Sequence, residues 1–316
     1  MLQEATRTSP AFVPAGANSL PDEAKNACVA LEVSRWNTLF DQAMQQQAVE
    51  ALEQGKVLFL PQLSFALTPQ EQAYLRPDCV KPGTKSIKYS LSRNALWGMA
   101  DSERDSPALT GLMKRYAESA RGLATALLPG YASTLITGNT SFRPVEVEGR
   151  EQSKRHDDRR LHVDAFPSQP MQGKRILRVF TNVNPSSRPR MWHVGERFSD
   201  VAARFLPHIP APMPGSSALL QWFRLTKGRR TAYDHYMLNL HDRMKLDDRY
   251  QAEVRHTVIP FPAGSTWIVF SDQVSHASLS GQHLLEQTFT LPVAAMDNPD
   301  ASPLHVLEKM KGKALA

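Results

Sequence analysis

The sequence predicts an α+β protein that is mainly β: helices come first, an antiparallel double sheet follows, and a helical insertion interrupts that sheet. Three observations carry this expectation. Across residues 106–128, Leu109, Leu112, Met113, Tyr116, Ala120 and Leu123 recur at helical spacing, and Pro129-Gly130 ends the run. Across residues 174–185, Ile176, Arg178, Phe180 and Asn182 alternate with Leu177, Val179, Thr181 and Val183, as the two faces of a strand do. Short apolar segments divided by Gly, Pro and polar turns then fill the last third, the pattern of sheet on sheet with helices packed outside.

Taken in order, residues 1–20 carry Pro10, Pro14 and Gly16 without periodicity and read as an irregular arm. Residues 22–55 read as helix, with Trp36, Leu39, Phe40, Ala43, Val49 and Leu52 near helical spacing and Gly55 as the stop. A short buried strand follows at 57–60. Thr68-Pro69-Gln70-Glu71 is a helix start, with a hydroxyl cap, Pro at the first position and an acid in the first turn. Basic and aromatic residues interleave across 85–100, a pattern shared by nucleic-acid binders, but a strand and loop at a site rim is the commoner source of it. Strands are expected at 134–137, 140–148, 160–167, 174–185 and 191–194, helix at 198–206 and 216–251, and strands again at 254–259, 265–270 and 284–291. The chain divides into an arm with supporting helices (1–131) and a double-sheet core with a helical insertion at about 198–251 (132–316), integrated as one domain. No internal repeat is present.

A chain of 316 residues with 41% hydrophobic and 22% charged residues has the composition of a soluble globular protein, which excludes wholesale disorder. Cys28 and Cys79 are too few for a disulfide framework or a Cys-based zinc site, so a reducing compartment is expected. Neither a signal-like N-terminus nor a long apolar run is visible, which points to a cytoplasmic protein. The formal charge of +6 favours an anionic partner: nucleic acid, phospholipid headgroups or an acidic sugar.

Chemistry concentrates in Arg160-Leu-His-Val-Asp-Ala-Phe-Pro167. In an extended segment His162, Asp164 and Phe166 share one face and Leu161, Val163 and Ala165 the other, so an imidazole and a carboxylate converge. A second His from elsewhere would complete a two-His-one-carboxylate facial triad with open coordination positions. The spacing alone is weak, because an ordinary hydrogen-bonded His–Asp pair looks the same and His156-Asp157-Asp158 repeats it. That second copy lies in a charged run without apolar alternation and reads as solvated loop. For the missing ligand, a Gly turn, the apolar run at 265–270 and a polar turn lead to His276, a hairpin-like path back to the first two. His193, His235, His241 and His283 read as solvated or core residues, and the six-residue step from His235 to His241 suits no single helix face.

Leu161-His-Val-Asp-Ala-Phe-Pro-Ser-Gln-Pro170, Arg175-Ile-Leu-Arg-Val-Phe-Thr-Asn-Val-Asn-Pro185, the late His276 and Glu286-Gln-Thr-Phe289 together resemble the Kdo hydroxylase family from about residue 50 onward. The resemblance implies a double-stranded β-helix (jelly roll) holding iron(II) on His162, Asp164 and His276. It implies 2-oxoglutarate as cosubstrate, ascorbate as a candidate reductant, and hydroxylation at C3 of Kdo in Kdo-lipid A. It further implies peripheral association with the cytoplasmic face of the inner membrane.

One position departs from the wider class, which carries a cation for the distal 2-oxoglutarate carboxylate shortly after the last His. Here that place is Glu286, between Leu285 and Gln287. Arg178, facing inward on the next strand after the first His, is the expected replacement, with Lys174 and Arg175 behind it. Arg143, Arg150, Arg160, Arg188 and Arg190 flank the ligand segment and are the candidates for substrate carboxylates and phosphates. Two other classes share these features: an oxygenase acting on another substrate, and a non-catalytic jelly-roll module that binds acidic glycolipid.

Overall fold

Two sheets lie face to face over an aromatic core, and the strand order brings distant segments of the chain side by side. The computed structural model describes residues 22–104, 106–213 and 228–316. Eleven strands are β1 (Cys28–Ala30), β2 (Val57–Leu60), β3 (Ile87–Ser90), β4 (Ala95–Trp97), β5 (Ile136–Arg143), β6 (Arg175–Asn182), β7 (Arg190–Val194), β8 (Thr257–Phe261), β9 (Thr266–Phe270), β10 (His276–Ser280) and β11 (Leu284–Leu291). The large sheet runs β1-β2-β9-β6-β11-β5-β3-β4, and the small one β10-β7-β8. All pairs are antiparallel except β1 with β2. Seven α-helices accompany them among the described residues: α1 (Gln42–Glu53), α2 (Pro69–Gln72), α3 (Pro107–Leu127), α4 (Phe198–Phe205), α5 (Ala232–Leu246), α6 (Asp248–Glu253) and α7 (Pro303–Lys311). The protein is thus a mixed α/β fold built on one large sheet. None of its described helices is long and apolar enough to cross a membrane.

The alternation in β6 sorts the layers. Leu177 and Val179 join Ile268, Phe270 and Phe289 under α1 and α3, while Phe180 turns to the other side with Trp267 and Leu284 to meet Trp192 and Phe261 of the small sheet. There Phe261 stacks on Trp267 at 4.1 Å between ring centroids, and burying such rings supplies most of the cohesion between the sheets. Helix α3 starts where Ser106 accepts a hydrogen bond from the Leu109 amide, and its predicted apolar stripe is buried throughout. Its Tyr116 hydroxyl donates to the carbonyls of Val179 and Leu285, which pins the helix across the sheet. Behind the small sheet, α4 to α7 pack against Leu161, Val163, Ile176 and Ala277.

Several expectations need correction. The helix expected over 22–55 begins only at Gln42, capped by Asp41, and β1 occupies the earlier part by pairing with β2. Cys28, Leu31 and Val33 are buried and Leu39 is 94% exposed, so long-range strand pairing overrides an accidental helical spacing. With β1 to β4 taking both edges of the large sheet, the first part of the chain supplies strands as well as helices. The two strands expected at 134–137 and 140–148 are one, β5, continuous past a bulge opposite Gln287 and Phe289. Gly138 permits this close approach, since a Cβ there would lie 2.9 Å from the Thr288 carbonyl oxygen. The expected strand at 160–167 is a single antiparallel bridge in otherwise irregular chain. Of the helix expected at 216–251, α5 and α6 account for the later part and 214–227 lies outside the described residues, as does the arm at 1–20. Helix α7, capped by Ser302, had no prior signal in the periodicity, whereas strand β10 begins at His276, where the turn-strand-turn path leads.

Candidate metal centre

The bridge at 160–167 is short because its purpose is local: His162 and His276 exchange both backbone hydrogen bonds, at 3.0 and 2.9 Å, which sets their side chains next to each other. Two residues on, the Asp164 amide donates to the Ser271 carbonyl at 2.8 Å, fixing the carboxylate on the same side. Leu161 and Val163 point the other way into the helical layer, so the alternation read from the sequence holds without a regular strand. One ligand atom each of His162, Asp164 and His276 lies within 4.8 Å of the others, and all three residues are buried. No other such cluster occurs among the described residues.

Several features fit this cluster to a divalent metal. Each imidazole donates Nδ1–H to a backbone carbonyl, His162 to Arg160 and His276 to Val274, both at 2.8 Å. That leaves both Nε2 lone pairs for a ligand. Burial pushes both imidazoles below their ordinary range, His162 well below, which keeps them neutral; Lys245 adds to this at both, while Asp164 opposes it at His276. Asp164 Oδ2 is buried without a hydrogen bond, since Arg178 approaches it at 3.0 Å as an ion pair but without hydrogen-bond alignment. An orphaned carboxylate oxygen beside two oriented imidazoles is a site shaped for a cation. Burial alone would raise the Asp164 carboxyl, yet the Arg178 charge above all opposes it and the carboxyl is held low, so it is an anion. The rival His156 is exposed and bonded to Ser153, and does not join the cluster.

The cluster opens into a cavity of about 350 Å³, within the range of small-molecule sites. Three larger clefts elsewhere, of about 730, 880 and 420 Å³, hold no such cluster. The cavity walls are cationic, and most of the cations are already paired. Lys85 meets Asp158 at 2.6 Å, and Arg143 meets Glu286 at 2.7 Å. Arg178 meets Glu286 at 2.9 Å as well as Asp164. Burial would raise the Glu286 carboxyl, but Arg143 and Arg178 together hold it below its ordinary range. Two buried cations lining the cavity have no carboxylate within ion-pair distance among the described residues: Arg190, 3% exposed, and Lys245, 2% exposed.

Arg190 belongs to a wall of unsatisfied donors. Its Nη1 donates to the Gly281 carbonyl, but its Nε, the Trp192 Nε1 and the Ser278 hydroxyl have no partner. Arg190 and Trp192 share one face of β7, and Ser278 lies opposite Trp192 on β10. Burial pushes the Arg190 guanidinium down to about 9, with the Arg143 charge adding to the effect, as befits a cation awaiting an anion. Gly281, at φ +107°, makes room for it, since a Cβ there would sit 3.0 Å from Arg190 Cδ. Trp192 also stacks on the His276 ring at 5.0 Å between centroids, which joins this wall to the metal cluster.

The other residues singled out in the sequence scatter. Arg178 reaches the cavity, but as the counter-ion of Asp164 and Glu286. Arg175 is fully buried elsewhere, on Asp272 at 2.8 Å and Gln273 at 2.6 Å, and Lys174 does not line the cavity. Arg143 lines it and Arg150 backs it through Asp158 at 3.2 Å. Arg160 turns away to the Lys245 carbonyl and Asp248, and Arg188 is exposed on the loop before β7. Sequence reading missed Lys85, Asp158, Trp192, His241, Lys245 and Ser278. His241 and Lys245 did carry a signal, being one turn apart on a helix face.

Facing antiparallel sheets around a two-His-one-carboxylate cluster define the class of non-haem iron oxygenases. The family model described as 3-deoxy-D-manno-oct-2-ulosonic acid (Kdo) hydroxylase matches residues 35–314, and the chain belongs to that family. The crystal structure of the Kdo hydroxylase KdoO, a non-heme Fe(II) alphaketoglutarate dependent dioxygenase, in complex with cobalt(II) is 48% identical. It has a TM-score of 0.89 and covers 92% of this chain and 97% of its own. Structures of KdoO with alphaketoglutarate and Fe(III), and with succinate and Fe(III), are each 47% identical with TM-scores of 0.88 and the same coverage. No curated protein matches the chain.

Proposed function

We propose that this protein is an iron(II)- and 2-oxoglutarate-dependent dioxygenase that hydroxylates C3 of Kdo in Kdo-lipid A, on a double-stranded β-helix with a helical insertion at about 198–251. The observation that carries the reading is the convergence of His162, Asp164 and His276 in the cavity of a Kdo hydroxylase family member. These three residues would hold the iron. Iron(II) bound there, with 2-oxoglutarate and dioxygen, supplies the oxidising power that turns a C–H bond into C–OH, the cosubstrate leaving as succinate and carbon dioxide. The protein's own part is orientation. The carbonyls of Arg160 and Val274 hold both imidazoles in one tautomer, Arg178 pairs with the Asp164 carboxylate at 3.0 Å, and Trp192 covers one face of His276. Residues 1–131 and 132–316 act as one unit in this reading, because β2 on β9 and β3 on β5 carry the earlier part onto the same sheet.

The distal carboxylate of 2-oxoglutarate is assigned to Arg190 with Ser278, in preference to Arg178, because Arg178 already neutralises two carboxylates and Arg190 none. Arg190→Met should raise the 2-oxoglutarate requirement by the loss of a buried charge-assisted contact, about 2 to 5 kcal/mol, with iron still bound. Arg178→Met should instead weaken iron retention by leaving Asp164 without its counter-ion. Anaerobic titration of the iron protein with 2-oxoglutarate, followed by the visible absorption of the chelate, separates the two. A weakened chelate in Arg178→Met alone, with iron retained, would return the role to Arg178.

A substrate anchored in lipid and a formal charge of +6 support peripheral work at the cytoplasmic face of the inner membrane. Each Lys or Arg near an anionic surface contributes about 1 kcal/mol, screened beyond about 8 Å at physiological salt. Binding to phosphatidylglycerol vesicles is therefore expected to fall steeply with added salt. Retention at high salt until detergent is added would overturn the peripheral model.

A further inference from the structure

Lys245 enters the metal cavity from α5, outside both sheets, and nothing in the assignments above uses its charge. It stands in the last turn of the helix, one turn beyond His241, whose ring meets His162 edge-on at 5.3 Å between centroids. The ammonium therefore lies on the His162 side of the cluster, whereas Arg190 and its donor wall adjoin His276 through Trp192. Burial pushes Lys245 down from its ordinary range, with the charges of Asp158 and Asp164 acting against this. Lysine is seldom buried without a partner. A reaction with two acidic reactants in one cavity has use for two such cations, one for each.

The family's sugar says which anion belongs here. In a 3-deoxy-oct-2-ulosonic acid, carbon 1 is the carboxyl and carbon 3 is the methylene that lacks a hydroxyl, with only carbon 2 between them. A cation that grips the carboxylate beside the cluster therefore also fixes the position of carbon 3, without contact to that carbon. We propose that Lys245 binds the carbon-1 carboxylate of the substrate sugar and so selects both a 2-keto acid sugar and the carbon to be attacked. This rests on the reading of the site as a Kdo hydroxylase and names its specificity residue.

The test uses the full-length enzyme with iron(II) and 2-oxoglutarate, the Lys245→Met and Lys245→Arg variants, and two substrates: Kdo-lipid A and the same lipid with its sugar carboxyl reduced to the alcohol. Lys245→Met should form the visible iron–2-oxoglutarate chelate at the wild-type cosubstrate concentration, which also shows that it is folded. Its kcat/KM for Kdo-lipid A should drop roughly tenfold to a hundredfold, the loss of one charge-assisted hydrogen bond, with succinate release uncoupled from hydroxylation. Lys245→Arg should recover part of the loss. On the reduced lipid the wild type should lose a similar factor and Lys245→Met little more. Equal further losses in both proteins would overturn the pairing, and a weakened chelate in Lys245→Met would move Lys245 to the cosubstrate. A wild type that forms the chelate but leaves Kdo-lipid A unchanged would overturn the substrate reading itself, and the carboxylate assignment with it.

Discussion

Replacing His162, Asp164 or His276 singly by alanine should abolish hydroxylation, by at least roughly a thousandfold or about 4 kcal/mol of barrier, while the protein remains folded. Each change vacates one position of the cluster and deletes little core, because the apolar partners of this segment, Leu161 and Val163, point into a different layer. The measurement is iron stoichiometry by elemental analysis beside succinate release. His156→Ala is the control: its ring is exposed and bonded to Ser153, so iron content should be unchanged. Loss of iron in that variant, with His162→Ala active, would move the metal to the other His-x-Asp segment.

The largest effect on stability is expected outside the metal cavity, at Arg175→Met. The guanidinium is fully buried over the Phe270 ring, 3.9 Å from its centroid, and bonded to Asp272 and Gln273. Asp272 is itself 1% exposed, and burial already pushes its carboxyl above the ordinary range despite Arg175. Removing the cation leaves that carboxylate alone in the interior, a change that typically costs about 3 to 5 kcal/mol. Thermal unfolding should shift down by about 5 °C or more, while iron and 2-oxoglutarate affinity at 25 °C, about room temperature, stay near wild type. An unchanged melting temperature would mean that Asp272 is protonated or solvated once Arg175 is gone.

Much of the fold and half of the site were legible in the residues alone. Helix α3 announced itself through an apolar stripe ended by Pro129-Gly130, and β6 through strict alternation, because these are local signals that a few neighbours carry. The same alternation put His162 and Asp164 on one face, and a turn-strand-turn path pointed to His276. Where local and distant demands conflicted, as at β1, periodicity misled, because strand pairing with β2 outweighs helical spacing over a few residues.

Charge is where the residues alone ran out. A count of arginines near the ligand segment could not tell that Arg175 belongs to Asp272, that Arg160 turns to Asp248, or that Arg178 is held by Asp164 and Glu286. Long cationic side chains reach across several ångströms, so their partners depend on which strands lie beside them, and that order is set by pairings between segments far apart in the chain. Glu286 looked like a missing cation and is in fact the anion that binds two of them. Local pattern determines which atoms can ligate a metal, because geometry over three residues suffices for it. Which cations are left unpaired for the two acids of the reaction, Arg190 and Lys245, was settled only when the sheets and the inserted helix closed around one cavity.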